Sequence, residues 1–201
     1  SLNVINDSSG TLLLSGVISG SQAVHLNEIG NVKLTANNTY SGNTFLNNGT
    51  LTLTGQVLGN IDVDYGGMIA GGNGTNAVST GDINLLNAKV SPGEGNGAGQ
   101  ITFGDANSDS ASWTEGTYVW DVSSGLAGSG SNSSNGGGDS INEASGTSGS
   151  DWDLINFTGS LDFSGASENS IKIQIKSNSN FPGYNSSFTQ WNEVKIIQAN
   201  N

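Results

Sequence analysis

Aspartates that lie close together in the sequence are the first candidates for chemistry. Residues i and i+2 of a β-strand point to the same face, so two aspartates at that spacing can present paired carboxylates. Such pairs serve glycosidases as acid and nucleophile, and they also bind Ca²⁺. A solvated acidic surface is the simpler interpretation, and we favour it. The sets are Asp62 with Asp64, Asp105 with Asp109, and Asp151 with Asp153, of which the first and third have the i, i+2 spacing.

The segment GDANSDS at positions 104–110 is the best metal candidate. Its oxygen-bearing side chains alternate as Asp105, Asn107 and Asp109, as at the start of a calcium-binding loop. It lacks that loop's glycine at the sixth position and its distal glutamate. We therefore expect no cofactor, with calcium at these three residues as the one alternative.

Histidine and aromatic residues offer a second kind of chemistry. His25 is the only histidine, and Glu28 is its only nearby acidic neighbour, so we interpret it as structural or solvated. Exposed aromatic rings can stack on sugars, but aromatic side chains also contribute strongly to a thin core. We therefore predict core positions for the candidate aromatic residues, which are Trp113, Tyr118, Trp120, Trp152 and Trp191.

Composition and charge exclude several classes of function. The 201 residues carry a formal net charge of −12, with five lysines, no arginine and no cysteine. A nucleic-acid-binding protein needs a basic patch, so nucleic acid is not an expected partner. An acidic surface also disfavours anionic lipid, and no apolar run approaches the ~20 residues of a membrane helix. Without cysteine, neither disulfides nor thiolate metal sites can form.

The elements that must position these residues are short strands. Runs of three to six residues with a two-residue alternation are separated by clusters of Gly, Asn, Asp and Ser, and helical periodicity is almost absent. The sequence therefore predicts an all-β fold. We predict strands at 11–14, 23–26, 32–35, 44–46, 50–54, 60–64, 68–70, 82–85, 88–90, 100–103, 117–122, 153–157, 160–163, 170–176 and 193–198.

The spacing of these strands fits a sandwich, a barrel or a β-solenoid. Tight Asn-Gly hairpins need matched strands on both sides, and Asn48-Gly49 has a good strand only after it. Segments of the form Gly-x-[Leu/Val]-x-Leu-[Ser/Thr] begin at Gly10, Gly30 and Gly49, about twenty residues apart. A twenty-residue period is typical of one coil of a parallel β-helix, in which stacked coils supply the core.

The second half of the chain departs from this repeat. Positions 123–150 contain almost only Ser, Gly and Asn with scattered acidic residues, which predicts a long surface loop or flexible insertion. We therefore predict solenoid repeats over 1–104 and a more irregular β-rich capping part over 105–201 that carries the insertion at 123–150. The chain begins at Ser1 rather than Met, which we interpret as a mature or excised piece of a longer protein.

Residues 16–55 resemble the autotransporter-associated β-strand repeat of bacterial surface passengers. In that repeat, a Gly-x-Leu-x-Leu strand is followed by Asn-x-Tyr-x-Gly-x-Thr, another strand and Gly-Thr-Leu; here Val32 replaces a leucine and Asn43 a frequent glycine. The segments at 87–105, 116–125 and 151–165 resemble later parts of such proteins. The matching positions are Gly30, Val32, Leu34, Asn38, Tyr40, Gly42, Thr44, Gly49, Thr50 and Leu51.

The resemblance implies a right-handed parallel β-helix on an extracellular or surface-anchored bacterial protein. We expect a non-catalytic structural module of a surface or fibre-forming protein, whose partners are further copies or neighbouring repeats of the same protein. One alternative is an adhesin that binds glycans or host matrix through residues 123–150 and exposed aromatic side chains. A second alternative is a polysaccharide-cleaving β-helix that uses the aspartate pairs. Neither membrane insertion nor nucleic-acid binding is expected.

Overall fold

The computed structural model describes residues 1–27, 29–72, 77–94, 98–122, 153–177 and 197–199. All regular secondary structure in these ranges is β-strand, which confirms the predicted all-β class. None of the described residues forms a helix, and so none forms a helix that could cross a membrane.

The strands are short, mostly three or four residues long. In chain order they are β1 (Leu2–Val4), β2 (Thr11–Leu14), β3 (Val24–Leu26), β4 (Asn31–Leu34), β5 (Thr44–Leu46), β6 (Thr50–Leu53), β7 (Ile61–Val63), β8 (Met68–Gly71), β9 (Ala77–Ser79), β10 (Ile83–Leu85), β11 (Ala88–Pro92), β12 (Gln100–Phe103), β13 (Ser110–Trp113), β14 (Gly116–Val122), β15 (Leu154–Phe157), β16 (Ser160–Asp162), β17 (Ile171–Ser177) and β18 (Ile197–Ala199).

These strands form three sheets, in which every pairing between named strands is parallel. Sheet 1 has the order β1-β3-β5-β7-β10-β13-β16, and sheet 2 has the order β2-β4-β6-β8-β11-β14-β17. Sheet 3 has the order β9-β12-β15-β18. Through β8 the chain alternates between sheets 1 and 2, and from β9 onward it visits sheets 3, 1 and 2 in turn. It returns to each sheet beside the strand of its previous visit. We call one such passage a circuit.

The circuit length explains the twenty-residue period of the sequence. Val24 pairs with Thr44, 20 residues later, and Ile61 pairs with Ile83, 22 residues later. Ala111 pairs with Leu161, 50 residues later, because the segment 123–150 falls within that circuit. Asn48-Gly49 therefore connects strands of two different sheets and does not form an antiparallel hairpin, in agreement with the interpretation as a corner.

The core consists of inward-facing rows that run across the strands. In sheet 2, one row joins Leu12, Val32, Leu51, Ile69, Val90, Tyr118 and Ile173 in register. In sheet 3, Phe103 stacks on Phe157 with ring centroids 5.6 Å apart. Burial of each large apolar side chain contributes about 1.5–3 kcal/mol, so the rows supply the stability that such short strands lack alone.

Each of the fifteen predicted strands overlaps an observed one, although residues 193–196 of the last lie outside the described ranges. Three strands were not predicted: β1, β9 and β13. The sequence of β13 is Ser110-Ala111-Ser112-Trp113, which is too short and too polar to be recognised as a strand. Pairing with β10 and β16 holds it in the strand conformation. Sheets 1 and 2 both continue past residue 104, while the division into repeats and a capping part stays a prediction.

Candidate functional site

The predicted calcium residues lie in the loop between β12 and β13. The Oδ2 atom of Asp109 accepts hydrogen bonds from the backbone N–H groups of Asp105 (2.8 Å) and Ala106 (2.9 Å), so this carboxylate closes the turn. Asp105 and Asn107 are exposed. In the part of the chain that the structure describes, no three His, Cys, Asp or Glu side chains are grouped to hold a metal ion. Calcium binding here stays a prediction.

The pair Asp62 and Asp64 is occupied by local hydrogen bonds. Asp62 points outward from β7 and accepts hydrogen bonds from Asn84 Nδ2 (2.7 Å) and Asn43 Nδ2 (3.2 Å) on the neighbouring circuits. Asp64 Oδ1 accepts the backbone N–H of Tyr65 at 2.6 Å. Both carboxylates therefore stabilise the outer surface and a corner, which agrees with the simpler interpretation of this pair.

The structure describes only one member of the third aspartate pair. Asp151 lies outside the described residues, and Asp153 is fully buried. Asp153 accepts the backbone N–H of Gly99 on Oδ1 (2.7 Å) and that of Asp121 on Oδ2 (2.8 Å). Its own N–H donates to the carbonyl of Asp121 at 3.0 Å. Asp153 thus joins two circuits and ties together the two ends of the segment 122–152. An exposed catalytic role for this residue is not compatible with that burial.

Asp121 and Asp153 form a buried acidic cluster that the sequence did not predict. Burial raises the pKa of Asp153 to about 7, against the opposing effect of its two backbone donors; Asp121 adds to the increase and Lys176 opposes it. Burial also raises the pKa of Asp121, which is 3% exposed. Among the described residues, Oδ2 of Asp121 has no hydrogen-bond partner. Only the fold brings these residues together, since they are 32 positions apart.

The histidine and the described aromatic residues have structural environments. His25 stacks on Phe45 of the next circuit, with ring centroids 4.8 Å apart. Trp113, Tyr118 and Trp120 are buried, which confirms the core interpretation for these three. They cannot offer ring faces to a sugar. Trp152 and Trp191 lie outside the described residues.

The residues of the motif Asn38-x-Tyr40-x-Gly42-x-Thr44 connect circuits. The buried Tyr40 hydroxyl is 2.7 Å from Thr44 Oγ1. A Cβ atom at Gly42 would lie 2.4 Å from the backbone carbonyl carbon of Gln22 in the previous circuit, so only glycine fits there. Asn38 is hydrogen-bonded to the circuits on both sides. The motif therefore forms a corner of the fold and not a ligand loop.

Apolar side chains at the two ends of the strand stack lack a covering strand on one side. In the sheet 2 row, the five inner side chains are 0% exposed, while Leu12 at one end is 37% exposed and Ile173 at the other is 50% exposed. In sheet 1, Leu2 occupies the end of a row whose second member, Val24, is 1% exposed. Leu2 itself is 40% exposed, although it faces the same way.

The backbone at these ends is also available. Among the described strands, β1 and β2 at one end, and β16 and β17 at the other, each have a sheet neighbour on one side only. An edge strand presents N–H and C=O groups that can pair with another chain. We call the surface of β1 and β2 the first end and the surface of β16 and β17 the second end. The alternation of β17 was predicted, but its terminal position was not, because the sequence does not state the order of strands.

Comparison with known proteins adds no relative. No protein-family model, curated protein or solved structure matches the chain. The resemblance to autotransporter-associated repeats therefore stays a prediction from the sequence.

Proposed function

We propose that this chain is a structural module of an extracellular bacterial surface or fibre-forming protein. It is a right-handed parallel β-solenoid without catalytic activity, and it associates end to end with a further copy or with neighbouring repeats of the same protein. The observation that carries the proposal is the sheet 2 row, whose members are buried in the interior and exposed at both ends.

The physical argument for association is the unfinished burial at each end. Adding one more strand to a row removes the exposed side of Leu12 or Ile173 from water, as happens for every inner member. Apolar burial of this kind yields about 25 cal/mol per Å², and pairing of the edge strand satisfies backbone groups at the same time. The two ends carry different residues, so the contact is head-to-tail and produces filaments when it does not close into a ring.

Membership of the autotransporter-associated repeat family is part of this proposal. It is supported by the corner roles of Asn38, Tyr40 and Gly42, which are the positions that distinguish the repeat from a generic alternating strand. The cell-surface or extracellular location follows from that resemblance. The polysaccharide-cleaving alternative receives less support, because the carboxylates of Asp62 and Asp64 hold local hydrogen bonds and Asp153 is buried.

A pair of complementary variants tests the head-to-tail contact. Leu12→Asp places a charge at the first end, and Ile173→Asp places one at the second end. Each variant alone should remain monomeric in analytical ultracentrifugation at concentrations where the wild-type chain associates. A 1:1 mixture of the two should form dimers and nothing larger, because one intact first end and one intact second end remain.

Leu86→Asp is the matched control, since Leu86 is 51% exposed but lies between β10 and β11, on the side of the stack. This variant should associate like the wild-type chain. Wild-type protein that stays monomeric at every concentration, or association that Leu86→Asp reduces as strongly as Ile173→Asp, would exclude the end-to-end contact. Thermal unfolding of each variant establishes that lost association does not reflect unfolding.

A further inference from the structure

The outward face of sheet 2 carries all the lysines that the structure describes. Lys33 alternates with the buried Val32 and Leu34 on β4, and Lys89 alternates with the buried Ala88 and Val90 on β11. The others, Lys172 and Lys176, lie on β17. The fifth lysine of the chain, Lys195, is outside the described residues. In a chain with 17 acidic residues, the four described lysines thus lie on one face.

Two of these lysines have acidic neighbours and two do not. Lys33 Nζ forms an ion pair with Glu94 at 2.7 Å, and Lys176 is in register with Asp121. Lys89 and Lys172 flank Thr117 in a single row, and neither lies within ion-pair distance of a carboxylate among the described residues. They are two strands apart, a separation of about 9.6 Å from the usual strand spacing.

A groove of about 530 Å³ follows the same face, with Thr11 and Lys176 among its lining residues. Its lining combines hydroxyl, amide and ammonium groups with Met68, Ala70, Gly93 and the carboxylate of Glu94. Several of the polar groups are already aligned by hydrogen bonds. Asn31 Nδ2 donates to Thr11 Oγ1 (3.2 Å), and Thr52 Oγ1 donates to Asn31 Oδ1 (3.0 Å). Thr50 also lines the groove. The groove runs across the strands, so it suits a linear ligand. Its lining residues come from β2, β4, β6, β8, β11 and β17.

The chemistry of this face fits an anionic, hydroxyl-rich polymer. Hydroxyl, amide and ammonium groups in rows can bond to the hydroxyls of successive sugar units, and the two lysines without acidic partners attract carboxylates or sulfates. Nucleic acid fits less well, because duplex DNA carries one phosphate charge about every 1.7 Å of its axis, far more densely than two cations about 9.6 Å apart can neutralise.

We propose that the outward face of sheet 2 is a binding site for a linear acidic polysaccharide. The sugar chain follows the outward row that joins Thr11, Asn31, Thr50, Met68, Lys89, Thr117 and Lys172 in register, so it crosses the groove at the first four positions and leaves it at Lys89. Beyond the groove, Lys89 and Lys172 bind its acidic groups, while Thr50, Asn31 and Lys33 bind its hydroxyls. This binding needs no catalysis and no end-to-end contact, so it is independent of the structural function proposed above.

Titration calorimetry with a polyuronate, polygalacturonate, tests the site at 50 mM and 300 mM salt. Binding should be measurable at the lower salt and weaker at the higher, because salt screens exposed charge pairs. Neutral dextran should not bind. The double variant Lys89→Gln with Lys172→Gln should weaken binding roughly threefold to tenfold, given the small contribution of each exposed ion pair.

Asn3→Asp is the matched control for charge. Asn3 lies on the outward row of sheet 1 and is exposed, and this substitution lowers the net charge by one, against two for the lysine double variant. It should leave polyuronate affinity unchanged; a loss half as large, on a logarithmic scale, as that of the double variant would overturn the site in favour of a long-range charge effect.

Thr50→Val and polyglutamate separate sugar recognition from charge. The valine variant should weaken polyuronate binding by roughly twofold to fivefold through the lost hydroxyl contact.

Polyglutamate or a single-stranded DNA oligonucleotide should bind more weakly than polyuronate. Equal or tighter binding of either, an unchanged affinity in the lysine double variant, or no polyuronate binding at 50 mM salt would overturn the proposal. Measurements in the Ile173→Asp background separate these outcomes from the end-to-end contact.

Discussion

Asn38 holds three successive circuits together, and it illustrates how single polar residues fix the corners of this fold. Its Oδ1 accepts the backbone N–H of Ile18 (2.9 Å) in the previous circuit, and its Nδ2 donates to the carbonyl of Gln56 (3.2 Å) in the next. The side chain is 2% exposed, so water cannot replace these bonds. Asparagine at this position therefore stabilises the fold and is not available for a ligand.

Replacing Asn38 by alanine should destabilise the chain by about 1–3 kcal/mol, because it removes the partner of the Ile18 N–H and a second donor to the Gln56 carbonyl. For a chain of this size, each kcal/mol lowers the midpoint of thermal unfolding by about 2–4 °C. The neighbouring Asn37 is exposed, and Asn37→Ala is the control, with a change within about 0.5 kcal/mol. Equal destabilisation by the two substitutions would contradict the role given to Asn38.

The buried carboxyl of Asp153 gives the protein an unusual pH dependence. Its pKa is about 7 in the folded chain against 3.8 for an ordinary aspartate, so the folded state binds this proton more tightly than the unfolded state. The contribution to stability is therefore greatest below about pH 4 and is lost as the pH rises to about 7. Most aspartates, which are stabilised as carboxylates, have the opposite sign.

Thermal unfolding between pH 4.5 and 8 measures this effect. Relative to the wild-type chain, Asp153→Asn should show a smaller decline of the unfolding midpoint as the pH rises, because its side chain does not titrate. Asp7→Asn, at an exposed position, should keep the wild-type slope. Parallel plots of unfolding midpoint against pH for the wild-type and Asp153→Asn proteins would show that the Asp153 carboxyl does not bind a proton more tightly in the folded chain.

At the scale of elements, each strand depends on the strands on both sides of it. Leu51 lies between Val32 and Ile69 in the inward row of sheet 2 and is fully buried, whereas Leu12 at the end of the row has one neighbour. A core leucine is stabilised by contacts from every direction, and the cost of its removal includes the cavity that remains.

Leu51→Ala should therefore lower the free energy of unfolding by about 2–5 kcal/mol. Leu12→Ala removes the same atoms from a half-covered position and should cost less than half as much. Denaturant unfolding of both variants provides the comparison. Similar losses would indicate that the inner and terminal positions of the row are equally covered, which the exposure of Leu12 does not permit.

Strand positions could be predicted because the inward residues alternate with polar ones, as in Thr50–Leu53. The sequence did not predict β13, since its inward residues are Ala111 and Trp113 between serines. It also did not predict that Asp121 and Asp153 meet, because that contact depends on which circuits are adjacent. The exposure of Ile173 was not predicted for a related reason: alternation indicates which way a residue faces, but not whether a further strand covers it.

At the scale of the whole molecule, different surfaces carry different properties. The outward row of sheet 1 contains Asp62 and Asp162, whereas the outward face of sheet 2 holds the described lysines. The two ends of the stack expose apolar side chains, among them Leu12 and Ile173. End-to-end association, as proposed, would leave the outward face of sheet 2 uncovered along a filament.

Seven strands in a sheet span about 29 Å at the usual strand spacing, so every added copy should lengthen the particle by at least that amount at constant width. Small-angle X-ray scattering of the wild-type chain over a concentration series measures length and cross-section separately. The structural proposal predicts that length grows with concentration while the cross-sectional radius stays fixed. Particles whose mass remains that of one chain, or whose cross-section grows instead of their length, would contradict it.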